Sequence, residues 1–357
     1  MSKFWNAIVQ GIEPYAAGEQ PDGDYIKLNM NENPFAPSPQ VIQAIQQAAN
    51  ADLRFYPHPN GDDLREAIGE EHGFPLDHIF IGNGSDEVLA MCFMAFFENK
   101  DGKKLRFPDL TYGFYPVYAN LLALSYDTVP VDEDLKVNVK DYLHHNTGVV
   151  IANPNAPTSR ALPLKEIEEI LQHNQDCVVI IDEAYIDFGG TSALSLIEHY
   201  PNLVVTRTLS KSRSLAGMRV GYCIAQPELI EGINRIKNSI NSHTVDTVAQ
   251  AAAEAAIKDT AYFNKTVQSL IQTRDHTKEA LRQIGFKVID SSTNFLLATH
   301  EKYDAASLTN QLKKQKILIR YFPNGRINDY IRISIGTEEE MEQFIHALTD
   351  IMNDDKA

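Results

Sequence analysis

The sequence predicts an α/β fold in which a mostly parallel sheet, covered by helices on both faces, is followed by a smaller α+β unit. Three observations carry this. Runs of Val and Ile without polar interruption alternate with amphipathic helical stretches through the middle of the chain, and apolar strands joined by helices build buried parallel sheets. Glycines, acids and a lysine gather at the carboxyl ends of those runs, where open α/β sheets bind ligands. After about residue 260 the texture changes to a long charged helix and alternating, half-polar strands.

In chain order, residues 11–39 are rich in proline and asparagine, show little periodicity and read as an arm. Candidate strands follow at 78–81, 104–107, 148–151, 177–181, 203–206 and 220–224. Residues 163–171 read as a helix with Pro163 in its first turn and Leu164, Ile167 and Leu171 on one face. Residues 262–284 continue as a charged helix, and strands are expected at 293–298, 317–320 and 331–335. The organisation is therefore an arm (1–39), a large domain (40–260) and a small domain (261–357).

Composition narrows the function. The 357 residues are 43% hydrophobic and 22% charged, as in ordinary globular chains, and no apolar run is long enough to cross a bilayer. A net charge of -16 argues against a nucleic-acid partner, which needs a clustered basic face. Cys92, Cys177 and Cys223 are far apart in apolar surroundings, with neither metal-ligand nor disulfide spacing. No signal core opens the chain, so a cytoplasmic protein without a metal is expected.

The strand ends supply the chemistry. After 78–81 comes Gly82-Asn-Gly84-Ser85-Asp86 at a helix start, either a nest of N–H groups for a phosphate or a tight turn capped by Ser85 or Asp86. No Gly-Lys-Ser/Thr follows, which excludes a nucleotide P-loop. After 104–107 comes Tyr112, able to stack on a flat ring or simply to pack. After 148–151 comes the polar turn Asn153-Pro-Asn155-Ala-Pro-Thr158. Asp182 closes the apolar run 177–181, a costly place for a carboxylate unless it is paired, and suited to a pyridinium N–H. After 203–206 comes Leu209-Ser210-Lys211, and Arg219 follows eight residues later. A lysine partly stripped of water is an imine-forming nucleophile, and an arginine can grip a phosphate with two prongs. Lysine, acid and phosphate anchor together are what pyridoxal phosphate needs. Arg219 stands at the start of its strand, so 220–224 must run antiparallel for Arg219 to reach the same rim.

These residues resemble the fold type I pyridoxal-phosphate enzymes, and within them the histidinol-phosphate aminotransferase family. The likeness runs nearly end to end, through Gly11-Ile-Glu-Pro-Tyr15, Leu28-Asn-Met-Asn-Glu-Asn-Pro34, Phe55-Tyr-Pro57, Gly84-Ser-Asp-Glu87, Asp182-Glu-Ala-Tyr185, Thr208-Leu-Ser-Lys211, Leu215-Ala-Gly-Met-Arg219 and Ile331-Arg-Ile-Ser-Ile-Gly-Thr337. It implies seven strands in the large sheet, one of them antiparallel. It implies that Lys211 bonds pyridoxal 5'-phosphate and shuttles the proton, Asp182 meets the ring nitrogen and Tyr185 the ring hydroxyl. Gly84, Ser85, Asp86, Ser210 and Arg219 would surround the phosphate, and Tyr112 would stack on the ring. Tyr56 matches a tyrosine that reaches the partner subunit's cofactor, which implies a homodimer with shared sites and dimer contacts from the arm. Arg332 matches the arginine that takes the substrate's anionic end, Arg320 would pair with it, and Tyr15 and Asn294 are further substrate-side candidates. The family's usual asparagine before the proline is here Ala156, so either Asn155 takes over the ring-hydroxyl contact or that contact falls to Tyr185 alone.

The activity implied is transamination between L-histidinol phosphate, the amino donor, and 2-oxoglutarate, the 2-oxo acid acceptor. An aromatic amino-acid aminotransferase and a threonine-phosphate decarboxylase-like lyase are the alternatives of the same fold. A regulator that borrows this domain would need an added DNA-binding segment, for which the chain has no room.

Overall fold

The computed structural model describes residues 2–15, 18–100, 102–143 and 146–354; residues 1, 16 and 17 of the expected arm fall outside these. In chain order the strands are β1 (Ile26–Leu28), β2 (Ile79–Asn83), β3 (Leu105–Pro108), β4 (Tyr126–Val129), β5 (Gly148–Ala152) and β6 (Val179–Asp182). Then come β7 (Leu203–Thr208), β8 (Val220–Ala225), β9 (Lys287–Val288), β10 (Phe295–Thr299), β11 (Ile317–Tyr321) and β12 (Tyr330–Ser334). Seven of them form one sheet in the order β2-β8-β7-β6-β5-β3-β4. β8 runs antiparallel to both neighbours, as Arg219 required, and the remaining pairs are parallel.

Alternation explains why this sheet is buried on both sides. Val149, Ile151, Val179, Ile181, Leu203 and Val205 pack into one apolar cluster. The residues between them, Val150, Ile180 and Val204, pack into another. Because strand side chains alternate between faces, a run with no polar position is stable only when helices cover both. Gly84–Phe96 and Pro227–Ile240 cover one face, and Asp62–His72, Leu164–His173 and Thr247–Lys258 cover the other. Pro163 caps Leu164–His173 rather than standing in its first turn.

The second sheet has the order β1-β11-β12-β10-β9, parallel only between β1 and β11. Its inner face packs on Thr260–Gln283 and Glu338–Asp354. Three strands were not anticipated. β4 is a half-exposed edge strand whose Tyr-Asp-Thr-Val run carries a charge, and β1 and β9 are too short to show a period. All three are set by pairing with a neighbour rather than by their own residues.

Candidate active site

The carboxyl ends of β2, β3, β5, β6 and β7 open on one rim of the seven-stranded sheet, and β8 delivers Arg219 to it. At the end of β2 the chain turns through Gly84, at a left-handed φ of 79°, into Gly84–Phe96. No side chain caps that helix, so its leading N–H groups form a cradle for an anion. A Cβ on Gly84 would stand 2.6 Å from Arg219 Nη2. On the other side Gly221 of β8 lies against the backbone of Gly84 and Ser85, closer than any side chain permits. Arg219 Nη2 donates to Asp86 Oδ2 at 3.2 Å, and Tyr112 OH donates to Asp86 Oδ1 at 2.6 Å. Burial and the Asp86 charge raise the Tyr112 pKa, which keeps its hydroxyl a donor. On the loop after β7, Ser210 Oγ accepts from Thr208 Oγ1 at 3.0 Å.

Asp182 is buried in the middle of the rim. Tyr115 OH donates to Oδ2 at 2.8 Å, and Thr206 Oγ1 and the Ala184 N–H donate to Oδ1, each at 3.2 Å. Burial raises its pKa to about 6, against the pull of these donors. Tyr115 and Thr206 were not singled out from the sequence, because a tyrosine on a helix and a threonine in a strand read as core. Tyr185 OH accepts from Asn31 Nδ2 at 2.9 Å. Asn155 lies in the rim but turns its amide elsewhere: Nδ2 donates to the Leu110 carbonyl (2.8 Å) and Thr158 Oγ1 (2.9 Å), and Oδ1 accepts from Thr111 at 3.2 Å. It ties the Tyr112 loop to the turn after β5.

Lys211 is enclosed, with Nζ donating to the Met30 carbonyl at 3.2 Å. Burial and the Arg332 charge lower its pKa to about 8. Asn33 Nδ2 holds the Lys211 carbonyl at 2.9 Å, so the Asn-Glu-Asn-Pro segment of the arm contacts the lysine directly.

Arg332, whose charge acts on Lys211, is one of a pair of cations. Arg320 of β11 and Arg332 of β12 are register partners and therefore share a sheet face. Arg332 donates to the Asn29 carbonyl at 2.8 Å, is flanked by Phe295 and Phe322, and leaves its buried Nε without a partner. Burial lowers its pKa, and Arg320 adds to the effect. Asn294 donates to the Asn31 carbonyl at 3.0 Å while its Oδ1 is likewise orphaned. Buried groups left unpaired are expensive unless a ligand meets them. Tyr15 stacks on Phe114 with ring centres 4.4 Å apart and lies 6.3 Å from Tyr112. Tyr56 is not gathered here: it is 86% exposed, beside His243.

The donor set fits a pyridine ring carrying a phosphate. The uncapped helix start, Ser210 and Arg219 could take the anion, Asp182 could accept a ring N–H, and Lys211 supplies an enclosed amine.

Comparison with known proteins agrees. The family described as aminotransferase class I and II matches residues 23–348. A histidinol-phosphate aminotransferase of Clostridium acetobutylicum is 52% identical, over 97% of this chain and 98% of its own. Histidinol-phosphate aminotransferase 1 of Hydrogenovibrio crunogenus is 48% identical over the whole of both chains. The crystal structure of histidinol-phosphate aminotransferase from Sinorhizobium meliloti in complex with pyridoxal-5'-phosphate superposes with a TM-score of 0.88 at 24% identity, covering 99% of each chain.

Proposed function

This chain belongs to the class I and II aminotransferases, and on that premise we propose that it exchanges an amino group between L-histidinol phosphate and 2-oxoglutarate. The products are imidazole acetol phosphate and L-glutamate. The observation that supports this substrate pair is the Arg320–Arg332 couple with its orphaned Nε beside Lys211. The donor carries a phosphate and no carboxylate, the acceptor two carboxylates, and a guanidinium fork accepts either anion. The names of the relatives agree with this reading.

Pyridoxal 5'-phosphate, the family's cofactor, supplies a conjugated cationic ring that takes up the electron pair left when a C–H bond beside the amine is broken. Its phosphate would be held by the N–H groups at Gly84, Ser85 and Asp86, by Ser210 and by Arg219. Tyr112 would cover the ring face and Tyr185 would meet the ring hydroxyl, while the Asn155 amide is taken up by Leu110, Thr111 and Thr158. Asp182, held by Tyr115 and Thr206, is mostly ionised near neutral pH and accepts the ring N–H. Lys211 would bond the cofactor; its buried amine, with a pKa lowered to about 8, loses its proton far more readily than a solvated lysine and so suits moving a proton between carbon atoms. Arg332 and Arg320 grip the substrate anion, with Tyr15 and Asn294 beside them, and so set which bond at the amine-bearing carbon stands perpendicular to the ring.

Tyr56, exposed on its own chain, would reach the cofactor phosphate of a second copy, which makes the working form a homodimer; the cytoplasm is its expected compartment. The test is to supply the loaded protein with L-histidinol phosphate and 2-oxoglutarate. Glutamate formed in step with imidazole acetol phosphate supports the reading; carbon dioxide release from an amino-acid phosphate without glutamate would replace it with a lyase.

A further inference from the structure

The two acids that close β6 point to opposite faces of the sheet. Asp182 turns to Tyr115 and Thr206 on the site face. Glu183 turns to the other, where Arg207 of β7 donates to it from Nε at 3.1 Å and from Nη2 at 2.9 Å. Ser192 Oγ and the Ala193 N–H donate to the same carboxylate at 2.7 and 2.6 Å. Arg207 Nη1 reaches on to Asp187 Oδ1 at 3.5 Å, and Asp187 Oδ2 accepts from Ser212 Oγ at 2.5 Å. Ser212 directly follows Lys211. The next residue, Arg213, is also buried, paired with Glu71, bonded to the carbonyls of Ala256 and Ile257, and stacked 3.6 Å over Phe263.

None of these side chains appears in the catalytic arrangement described above. A buried charge chain is a poor way to stabilise a Val/Ile sheet, because its desolvation cost rivals the attraction it recovers. What this chain of contacts does is immobilise the two residues after the lysine from the far face, while Asn33 holds the Lys211 carbonyl from the near one. Ser214 N–H returns to the Lys211 carbonyl and Leu215 N–H to the Leu209 carbonyl, closing the loop on itself.

We propose that Asp187, anchored by Arg207, is a positioning residue that fixes the Lys211 backbone through Ser212, so that only the lysine side chain moves when the amine takes up and returns its proton. The inference rests on the reading of Lys211 as the cofactor-bonding amine. A reacting group displaced by about 1 Å loses on the order of a hundredfold in rate, and four rotatable side-chain bonds magnify any play in the backbone that carries them.

Three variants test it: Ser212→Ala, Asp187→Asn and Ser212→Thr. In the cofactor-free chain, amide hydrogen exchange across residues 209–215 should quicken about tenfold in the first two variants, as loss of one charge-assisted bond allows, while peptides of β5 and β6 stay unchanged. In the loaded enzyme kcat should fall about tenfold or more with KM for the amino donor unmoved, since Arg320 and Arg332 are untouched. Ser212→Thr, which keeps the hydroxyl, should restore both. Wild-type kcat in Ser212→Ala and Asp187→Asn overturns the proposal, as does exchange that quickens evenly over the whole chain without rescue by threonine. Borohydride reduction of the loaded wild type separates the two readings: an adduct on another lysine overturns the assignment of Lys211, whereas an adduct on Lys211 with unchanged variant kinetics overturns the positioning role alone.

Discussion

Gly221→Ala should cripple cofactor binding although residue 221 carries no polar side chain. A Cβ there meets the Ser85 nitrogen, the Gly84 carbonyl carbon and Ser85 Cα, all of them backbone atoms of the anion cradle. Backbone cannot rotate aside as a side chain can, so β8 and the start of Gly84–Phe96 must separate. Their registers, Gly82 opposite Gly221 and Asn83 opposite Val220, tie that separation to the strand carrying Arg219. Overpacking of this kind costs about 1–3 kcal/mol. If that strain is relieved by opening the cradle, the cofactor must restore it on binding, and its Kd rises by roughly fivefold to a hundredfold or more. The assay is titration of the cofactor-free protein with pyridoxal 5'-phosphate, followed by absorbance, beside a thermal melt of each variant. Gly217→Ala is the control, because a Cβ at Gly217 meets nothing within 4 Å, and it should bind as the wild type does. Wild-type affinity in Gly221→Ala would refute the argument that this close approach shapes the phosphate site.

Other consequences follow from the same geometry. Asp182→Asn removes the charge that meets the ring N–H and should lower kcat about tenfold to a hundredfold, the range for one charge-assisted bond. Because the folded pKa of Asp182 is raised to about 6, the native state binds more protons than the unfolded chain between about pH 4 and 6. The cofactor-free wild type should therefore lose stability relative to Asp182→Asn as pH rises through that window, by up to about 3 kcal/mol, read from urea midpoints. The rate at which cofactor-free protein captures pyridoxal 5'-phosphate should climb with pH and level off above about 8, where Lys211 becomes neutral, with Lys211→Met as the silent control. Arg332→Lys keeps the charge but loses the fork, and should cut kcat/KM for a phosphate-bearing donor about tenfold or more while leaving cofactor affinity unchanged.

Much of the rim was legible because its strands are extreme. Runs such as Val179–Asp182 carry no polar residue until the acid that ends them, so both the covering helices and the unusual status of Asp182 follow from the residues alone. The position of Arg219 at a strand start even required β8 to run backwards. What stayed hidden depends on distant partners. Asn33 lies 178 residues from the lysine it holds, and Tyr115 reaches Asp182 across 67. Gly221 reads as an ordinary strand glycine until β8 is placed against Gly84. Arg332 and Arg320 were named from the family resemblance, but that they stand opposite one another follows only from the register of β11 on β12. Asn155 shows the converse: the turn was recognisable, but the direction of its amide was set by Leu110 and Thr158.

The most direct test of the central claim is a comparison of kcat/KM for L-histidinol phosphate and L-phenylalanine, with 2-oxoglutarate as common acceptor and glutamate as the product measured. A phosphate dianion can engage both arginines at once, where the single carboxylate of phenylalanine pairs with one. The couple therefore predicts a preference of at least about tenfold for the phosphate-bearing amine, the value of that additional charge-assisted contact in the transition state. Equal or greater efficiency with phenylalanine would contradict it and make this chain an aromatic amino-acid aminotransferase.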